Sequence, residues 1–242
     1  RALDDVVRSG KVLYVAVSDT PAWVVSSANA VAQLRGWSPY IGLQTRYNLL
    51  DRSLEWELGP MARANDIGII PWGALAEGFL TGKVPPHSPF PLRSSELEPV
   101  SDLLFFCRVC VCGDNNREHT RDRVSADSKR GAWVDKHTKE ERNWRIVDEV
   151  MAVAREVDRS AAQVALNWLA QKPGVTSPLV GARTLDQLKD NIAALEFTLS
   201  PDHMQRLDQV SARPPAEQPF PASFIAARDY TVGLTKVATR YN

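Results

Sequence analysis

The sequence has no excess of charge of either sign, with 29 Lys and Arg set against 29 Asp and Glu. A nucleic-acid or anionic-membrane surface needs a basic excess or a dominant basic patch, so neither partner is expected. No apolar run reaches the length of a bilayer-spanning helix, and no charged-then-apolar segment opens the chain. The expected compartment is the cytoplasm. Cysteine is scarce: there are three, Cys107, Cys110 and Cys112, an odd and clustered set that makes a poor disulfide framework. Their C-x-x-C-x-C spacing, with His119 as a distant fourth ligand, could form half of a metal site. Zinc sites need a second ligand pair at defined spacing, and none follows, so no metal is expected. The initial residue is Arg1 rather than Met, and a fragment is the expected reading.

What is present is an ordinary globular composition, 44% hydrophobic over 242 residues, enough for a sizeable core. Residues 11–17 form a β-rich apolar run, as for a strand buried on both faces. Thr20 as N-cap and Pro21 as first helical residue then open a helix over 22–34, ended by Gly36. The order repeats with a short strand at 41–44, a helix from about 53 to 65, and a strand at 67–71 followed by a Gly-containing loop at 72–78. A helix over 140–157 presents Ile146, Val147, Val150, Met151, Ala154 and Val157 on one face. Ser160 and Gln163 form a capping box, residues 177–180 a fourth strand, and Thr184 and Gln187 a second box. The helix after that box is expected to bury Leu188, Ile192 and Leu195. A last helix begins at Ser200-Pro201. The segment 84–139 breaks this alternation as one long irregular loop.

Strands alternating with helices imply βα units and parallel pairing. Four such strands make either a small open sheet or half of an eight-stranded barrel. In βα proteins the reactive ends are the C-terminal ends of the strands. Those positions hold Ser18 and Asp19, Gln44, Trp72 and Gly73, and Gly181 and Arg183. The first three can hydrogen-bond an amide, and Trp72 can stack on a flat ring. Gly181 lets backbone approach closely, and Arg183 adjoins a capped helix N-terminus suited to phosphate. Each has a plainer reading: helix cap, backbone partner, core aromatic, solvated charge. Their shared topological level favours a nucleotide site.

Four motifs then carry a family resemblance. Residues 10–19 (GKVLYVAVSD) resemble the GK-x-R-x-I-G-V-S-N signature of aldo-keto reductases. Residues 44–50 (QTRYNLL) resemble their Q-x-x-Y-N-L-L segment, and 71–83 (PWGALAEGFLTGK) their P-x-S-P-L-A-x-G-x-L-T-G-K run. Residues 180–191 (VGARTLDQLKDN) are similar to their last-strand phosphate and adenine motif. The resemblance covers residues 1 to about 93 and 130 to about 225. It implies an α/β fold, a partial (β/α)8 TIM barrel carrying strands five to eight, in a single domain over 1–242. The stretch at about 95–128 has no family equivalent and reads like foreign sequence in a surface loop. With the missing first half, it has the texture of a mispredicted gene model.

The resemblance further implies NADP(H) as cofactor and a small-molecule carbonyl or alcohol as substrate. Ser18, Asp19 and Gln44 would hold the nicotinamide carboxamide, with Asp19 standing where the family commonly has Asn. Trp72, in place of the usual Tyr, would stack on the nicotinamide. Gly73, Leu75, Ala76 and Lys83 would line the pyrophosphate. Gly181 and Arg183 would hold the 2′-phosphate, with Gln187, Asp190 and Asn191 near the adenosine. The family's Asp, Tyr, Lys and His tetrad comes from the first barrel half, and none is recoverable here, so no catalytic residue is assigned. His87, His119, His137 and His203 are placed in loops or near a helix start, away from strand ends. A non-catalytic nucleotide- or partner-binding module is the second reading. Four barrel strands without partners would leave the chain poorly soluble or self-associating, two halves approximating a closed barrel.

Overall fold

The computed structural model describes residues 1–83 and 136–213. Most of the expected long loop, the stretch 95–128, all three cysteines, His87 and His119 lie outside them, as does everything past residue 213. In chain order the elements are α1 (Ala2–Arg8), β1 (Val15–Ser18), α2 (Ala22–Arg35), β2 (Tyr40–Arg46), α3 (Leu58–Ala64), β3 (Gly68–Trp72), α4 (Glu141–Glu156), α5 (Ala161–Ala170), α6 (Leu185–Ala193) and α7 (Pro201–Ser211). Short 3₁₀ segments at Ser53–Glu55 and Ala76–Thr81 follow β2 and β3. Among the described residues the strands make one parallel sheet in the order β1-β2-β3, so the expected α/β class with parallel pairing is what forms.

The expected fourth strand at 177–180 does not form. Instead residues 174–179 lie along β3 through Ile69 N–H to the Gly174 carbonyl (2.9 Å), Thr176 N–H to Ile69 (2.8 Å) and Leu179 N–H to Pro71 (2.8 Å). Pro178 has no N–H to donate, which interrupts a regular ladder.

Parity along β2 and β3 divides the sheet. Leu43, Thr45, Ile69 and Pro71 are buried under the helices, where Tyr47, Phe79, Val150, Trp168 and Leu207 complete the core. Residues of the other parity, Ala16, Ser18, Gln44, Ile70 and Trp72, face away from the helices and keep solvent contact. The expectation that the first strand is buried on both faces therefore fails. It also starts four residues late: Leu13 and Tyr14 are 80% and 72% exposed, and among the described residues β1 is an edge strand with a neighbour on one side only.

Other boundaries shift for local reasons. The N-cap of α2 is Pro21, not Thr20. The Thr20 hydroxyl instead donates to the Ser18 carbonyl (2.9 Å), across a turn in which Asp19 takes a left-handed φ of 48°. Gly36 closes α2 in the left-handed conformation, as expected. The helix expected over 53–65 is broken, and α3 starts at Leu58 so that Pro60 falls in its first turn, where its missing N–H costs nothing. On α4, Ile146, Val147, Val150 and Ala154 are buried as expected, with Val153 added and Met151 and Val157 only partly covered. On α6, Ile192 and the following Leu195 are exposed rather than buried, and Leu188 is half-buried. The residue that α6 buries is Asn191.

Candidate cofactor site at the strand ends

The three strands end at one level. Register pairs Ser18 with Gln44, Gln44 with Ile70, and Arg46 with Trp72. Side chains alternate along a strand, so Ser18, Gln44, Arg46 and Trp72 project from the same helix-free face. Three of the residues singled out in the sequence, Ser18, Gln44 and Trp72, are thus brought together. Asp19 follows at the rim, and its left-handed backbone suits Asp or Asn better than most residues.

The turn after β3 is more tightly built than the sequence suggested. Gly73 has a φ of 68°, and Ala76, Glu77 and Gly78 are also left-handed, at 48°, 57° and 100°. Ala76 is fully buried and its N–H donates to the Gly73 carbonyl (2.9 Å), so its side chain cannot line an open site. Leu75 is half-buried and Lys83 is exposed. Asn48, 1% exposed, fixes this turn to the one after β2. Its Nδ2 donates to the Gly73 carbonyl (2.8 Å), while its Oδ1 accepts from the N–H groups of Leu50 and Asp51, both 2.9 Å.

An ion cluster closes the same place. Arg46 donates to both Glu77 carboxylate oxygens (3.3 and 3.2 Å), lies 3.5 Å from Asp51 and sits over the Trp72 ring at 5.3 Å from its centroid. The His137 Nε2 is 3.4 Å from both Arg46 and Glu77, so one histidine does reach the strand ends, contrary to the expectation for all four. Burial pushes the Glu77 carboxyl up, but His137 and Arg46 outweigh it and hold it below its ordinary range. The sequence assigns no role to Arg46, Asn48 or Glu77, and it places His137 away from the strand ends. A polar Asn inside the apolar YNLL run was the one signal available.

The turn at Gly181–Arg183 is open by contrast. A side chain at Gly181 would meet nothing within 4 Å. Thr184 caps α6 by accepting from Gln187 N–H (3.2 Å), but the box is incomplete: the Gln187 Oε1 accepts from Arg183 N–H (2.9 Å) instead of the cap's own. Asn191 reaches back toward the Gly181 carbonyl at 3.5 Å. Asp190 is committed elsewhere, accepting from Ser160 (3.1 Å to each oxygen) and Gln163 (2.8 Å) at the N-terminus of α5. That N-terminus carries the complete Ser160–Gln163 capping box expected from sequence.

The model of the aldo/keto reductase family matches residues 1–212. The chain belongs to that family. It is 32% identical over 225 residues to a probable aryl-alcohol dehydrogenase of Saccharomyces cerevisiae, covering 93% of this chain and 57% of the relative. It is 30% identical over 242 residues to an aryl-alcohol dehydrogenase [NADP(+)] of Phanerodontia chrysosporium, covering 99% and 54%. A norsolorinic acid reductase of Aspergillus flavus is 28% identical over 225 residues, covering 93% and 46%. The chain spans about half the length of the curated relatives it matches. Three tyrosines lie among the described residues. Tyr14 precedes β1, Tyr40 opens β2 at the end opposite the site, and the buried Tyr47 hydroxyl donates to Glu55 (2.5 Å). Burial and the Glu55 carboxylate push the Tyr47 phenol above its ordinary value, the wrong direction for a proton donor. No helix among the described residues is long and apolar enough to cross a membrane.

Proposed function

We propose that this chain is the cofactor-holding part of an NADP(H)-dependent oxidoreductase interconverting carbonyls and alcohols, corresponding to strands five to eight of a (β/α)8 barrel. The observation that carries the reading is the row at the strand ends. Ser18 and Gln44 stand in register on one open face, with Trp72 one row further on and its ring backed by Arg46. A hydroxyl and an amide beside a flat aromatic fit an aromatic carboxamide, the nicotinamide head group. The open turn at Gly181 and Arg183, beside the capped start of α6, suits a phosphate, although Asp186 in the first turn of α6 weakens its pull on anions. Bound NADPH would supply the hydride. Ser18 and Gln44 would orient the nicotinamide, Trp72 would stack on it, and Arg183 would pair with the 2′-phosphate. The names of the relatives favour aromatic alcohols and their aldehydes as the substrate class.

The reading assigns binding but not turnover to the chain alone. Reducing a carbonyl by hydride transfer demands a proton, and general acid catalysis is typically worth about 10²–10⁴-fold. Tyr47 is locked on Glu55, and Trp72 has no proton of suitable pKa. The test is calorimetric titration with NADPH and NADH, repeated on Arg183→Ala. NADPH should lose about 1.5–3 kcal/mol of binding, the usual range for a hydrogen bond to a charged group, and NADH little. Equal losses would remove the assigned role, and aldehyde-dependent NADPH oxidation by the chain alone would remove the claim of binding without turnover.

A further inference from the structure

Arg46 and Trp72 are register partners on adjacent strands and share the helix-free face at the strand ends. The Arg46 guanidinium lies over the indole, 5.3 Å from the ring centroid, within the reach of a cation–π contact. Three groups hold it there: Glu77 with both carboxylate oxygens, Asp51 at 3.5 Å and His137 at 3.4 Å. The Arg46 and Glu77 side chains are only 12% and 16% exposed, so salt and solvent screen the pair little. Glu77 reaches Arg46 from a left-handed φ of 57°, a conformation that costs energy in a residue with a β-carbon. An arginine tethered this firmly against an aromatic ring delivers a fixed positive charge to it.

The two redox forms of a nicotinamide cofactor differ by one unit of charge on the ring: the oxidised ring is a cation and the reduced ring is neutral. Phosphates, riboses and adenine are the same in both. We infer, resting on the reading of Trp72 as the nicotinamide platform, that Arg46 is a positioning residue acting through Trp72. It makes the site favour the reduced cofactor over the oxidised one, and Glu77 offsets part of its charge. A cationic nicotinamide stacked on the opposite face of Trp72 competes with the guanidinium for the same π electrons and is repelled by its charge. The neutral dihydronicotinamide meets neither penalty. At an effective dielectric of about 20, a unit charge within about 10 Å shifts a binding constant by roughly tenfold. Glu77 and Asp51 counter part of that field, so an effect of about threefold to tenfold is expected.

The test is calorimetric titration of the full chain with NADP+ and with NADPH, taking the ratio of the two dissociation constants so that contacts common to both forms cancel. Arg46→Met should lower the ratio of Kd for NADP+ to Kd for NADPH by about threefold to tenfold. Glu77→Gln, whose amide oxygen can still accept from Arg46, leaves the guanidinium charge less offset and should raise the ratio. Arg46→Lys keeps the charge, so the ratio should stay near the parent's even where both affinities fall. A purely structural Arg46–Glu77 pair would weaken both forms alike, and an unchanged ratio overturns the inference. So do shifts of the same sign in Arg46→Met and Glu77→Gln. If circular dichroism shows that Arg46→Met does not fold, Glu77→Gln decides alone, and an unchanged or lowered ratio overturns the inference. Trp72→Leu should weaken both forms. If it weakens neither, or if the parent binds neither, the platform reading fails and the role of Arg46 falls with it. A loss in Trp72→Leu beside unmoved ratios in the other variants leaves the platform standing and removes Arg46 alone.

Discussion

The turn after β3 and the turn after residues 174–179 occupy equivalent places in the strand order, yet they are built in opposite ways. The first is packed and cross-linked: Asn48 ties it to the turn after β2, and Arg46, Glu77 and His137 close over it. The second is more open. Gly181 faces empty space, and Gln187 and Asn191 of α6 reach back to the Gly181–Arg183 segment. A flat ring is best met by a rigid platform, because positioning is lost over small displacements. A phosphate needs charge and amides at an accessible helix start, where tight packing would obstruct entry. On the proposed reading the two turns would serve the two ends of one dinucleotide, and the contrast between them can be broken experimentally at either end.

The largest expected effect is at Asn48. Replacement by Ala removes three hydrogen bonds to backbone groups, two of them holding the loop at Leu50 and Asp51. At about 1 kcal/mol net for each bond, the loss of stability should approach 3 kcal/mol. Urea unfolding of Asn48→Ala measures it, and a cost below that of Arg183→Ala would show that the first turn is not the rigid one.

Glu77 should have a smaller effect with a distinctive pH dependence. Its carboxyl is held below the ordinary value, so the folded state binds its proton less readily than the unfolded chain. The stabilisation is then complete above the usual carboxylate range and is lost as the pH falls through it. The difference in melting temperature between the parent and Glu77→Gln should be largest near neutrality and shrink in acid. A difference independent of pH would assign the effect to packing in the left-handed turn and remove the ion cluster from the comparison.

How far the sequence foretold these two regions follows from what each depends on. The caps at Ser160 and Thr184, the left-handed stop at Gly36 and the core face of α4 rest on residues near one another in the chain, and they were legible. The strand-end row Ser18, Gln44 and Trp72 was legible as well, since strand polarity alone sets that level. The Arg46–Glu77–His137 cluster joins residues 31 and 91 positions apart, and no local pattern announces it. The burial expected for Ile192 and Leu195 failed for a different reason. Helical periodicity shows which residues share a stripe, but not whether a neighbour exists to cover it. The fourth strand failed because Pro178 removes a ladder donor, a local signal given too little weight against its apolar neighbours.

The smallest predicted effect compares the two helix caps. Ser160 sits in a complete box: it accepts from Gln163 N–H, Gln163 accepts from the Ser160 N–H (3.1 Å), and the Ser160 hydroxyl also donates to Asp190. Thr184 makes one capping bond at an exposed position. Replacing a capping Ser or Thr by Ala costs about 0.5–2 kcal/mol, with exposed, isolated caps at the low end. Ser160→Ala should fall toward the top of that range, since it also deprives Asp190 of a donor and loosens the contact between α5 and α6. Thr184→Ala should fall toward the bottom. The gap between them, about 1 kcal/mol, is readable as a difference in denaturation midpoint at unchanged slope. NADPH titration of the same two variants sharpens the point. Thr184 adjoins Arg183, so its loss should weaken cofactor binding more than it weakens the fold, whereas Ser160 should do the reverse. If both caps moved stability and binding in the same proportion, the two turns would be one mechanical unit and the division between a rigid and an open end would fail.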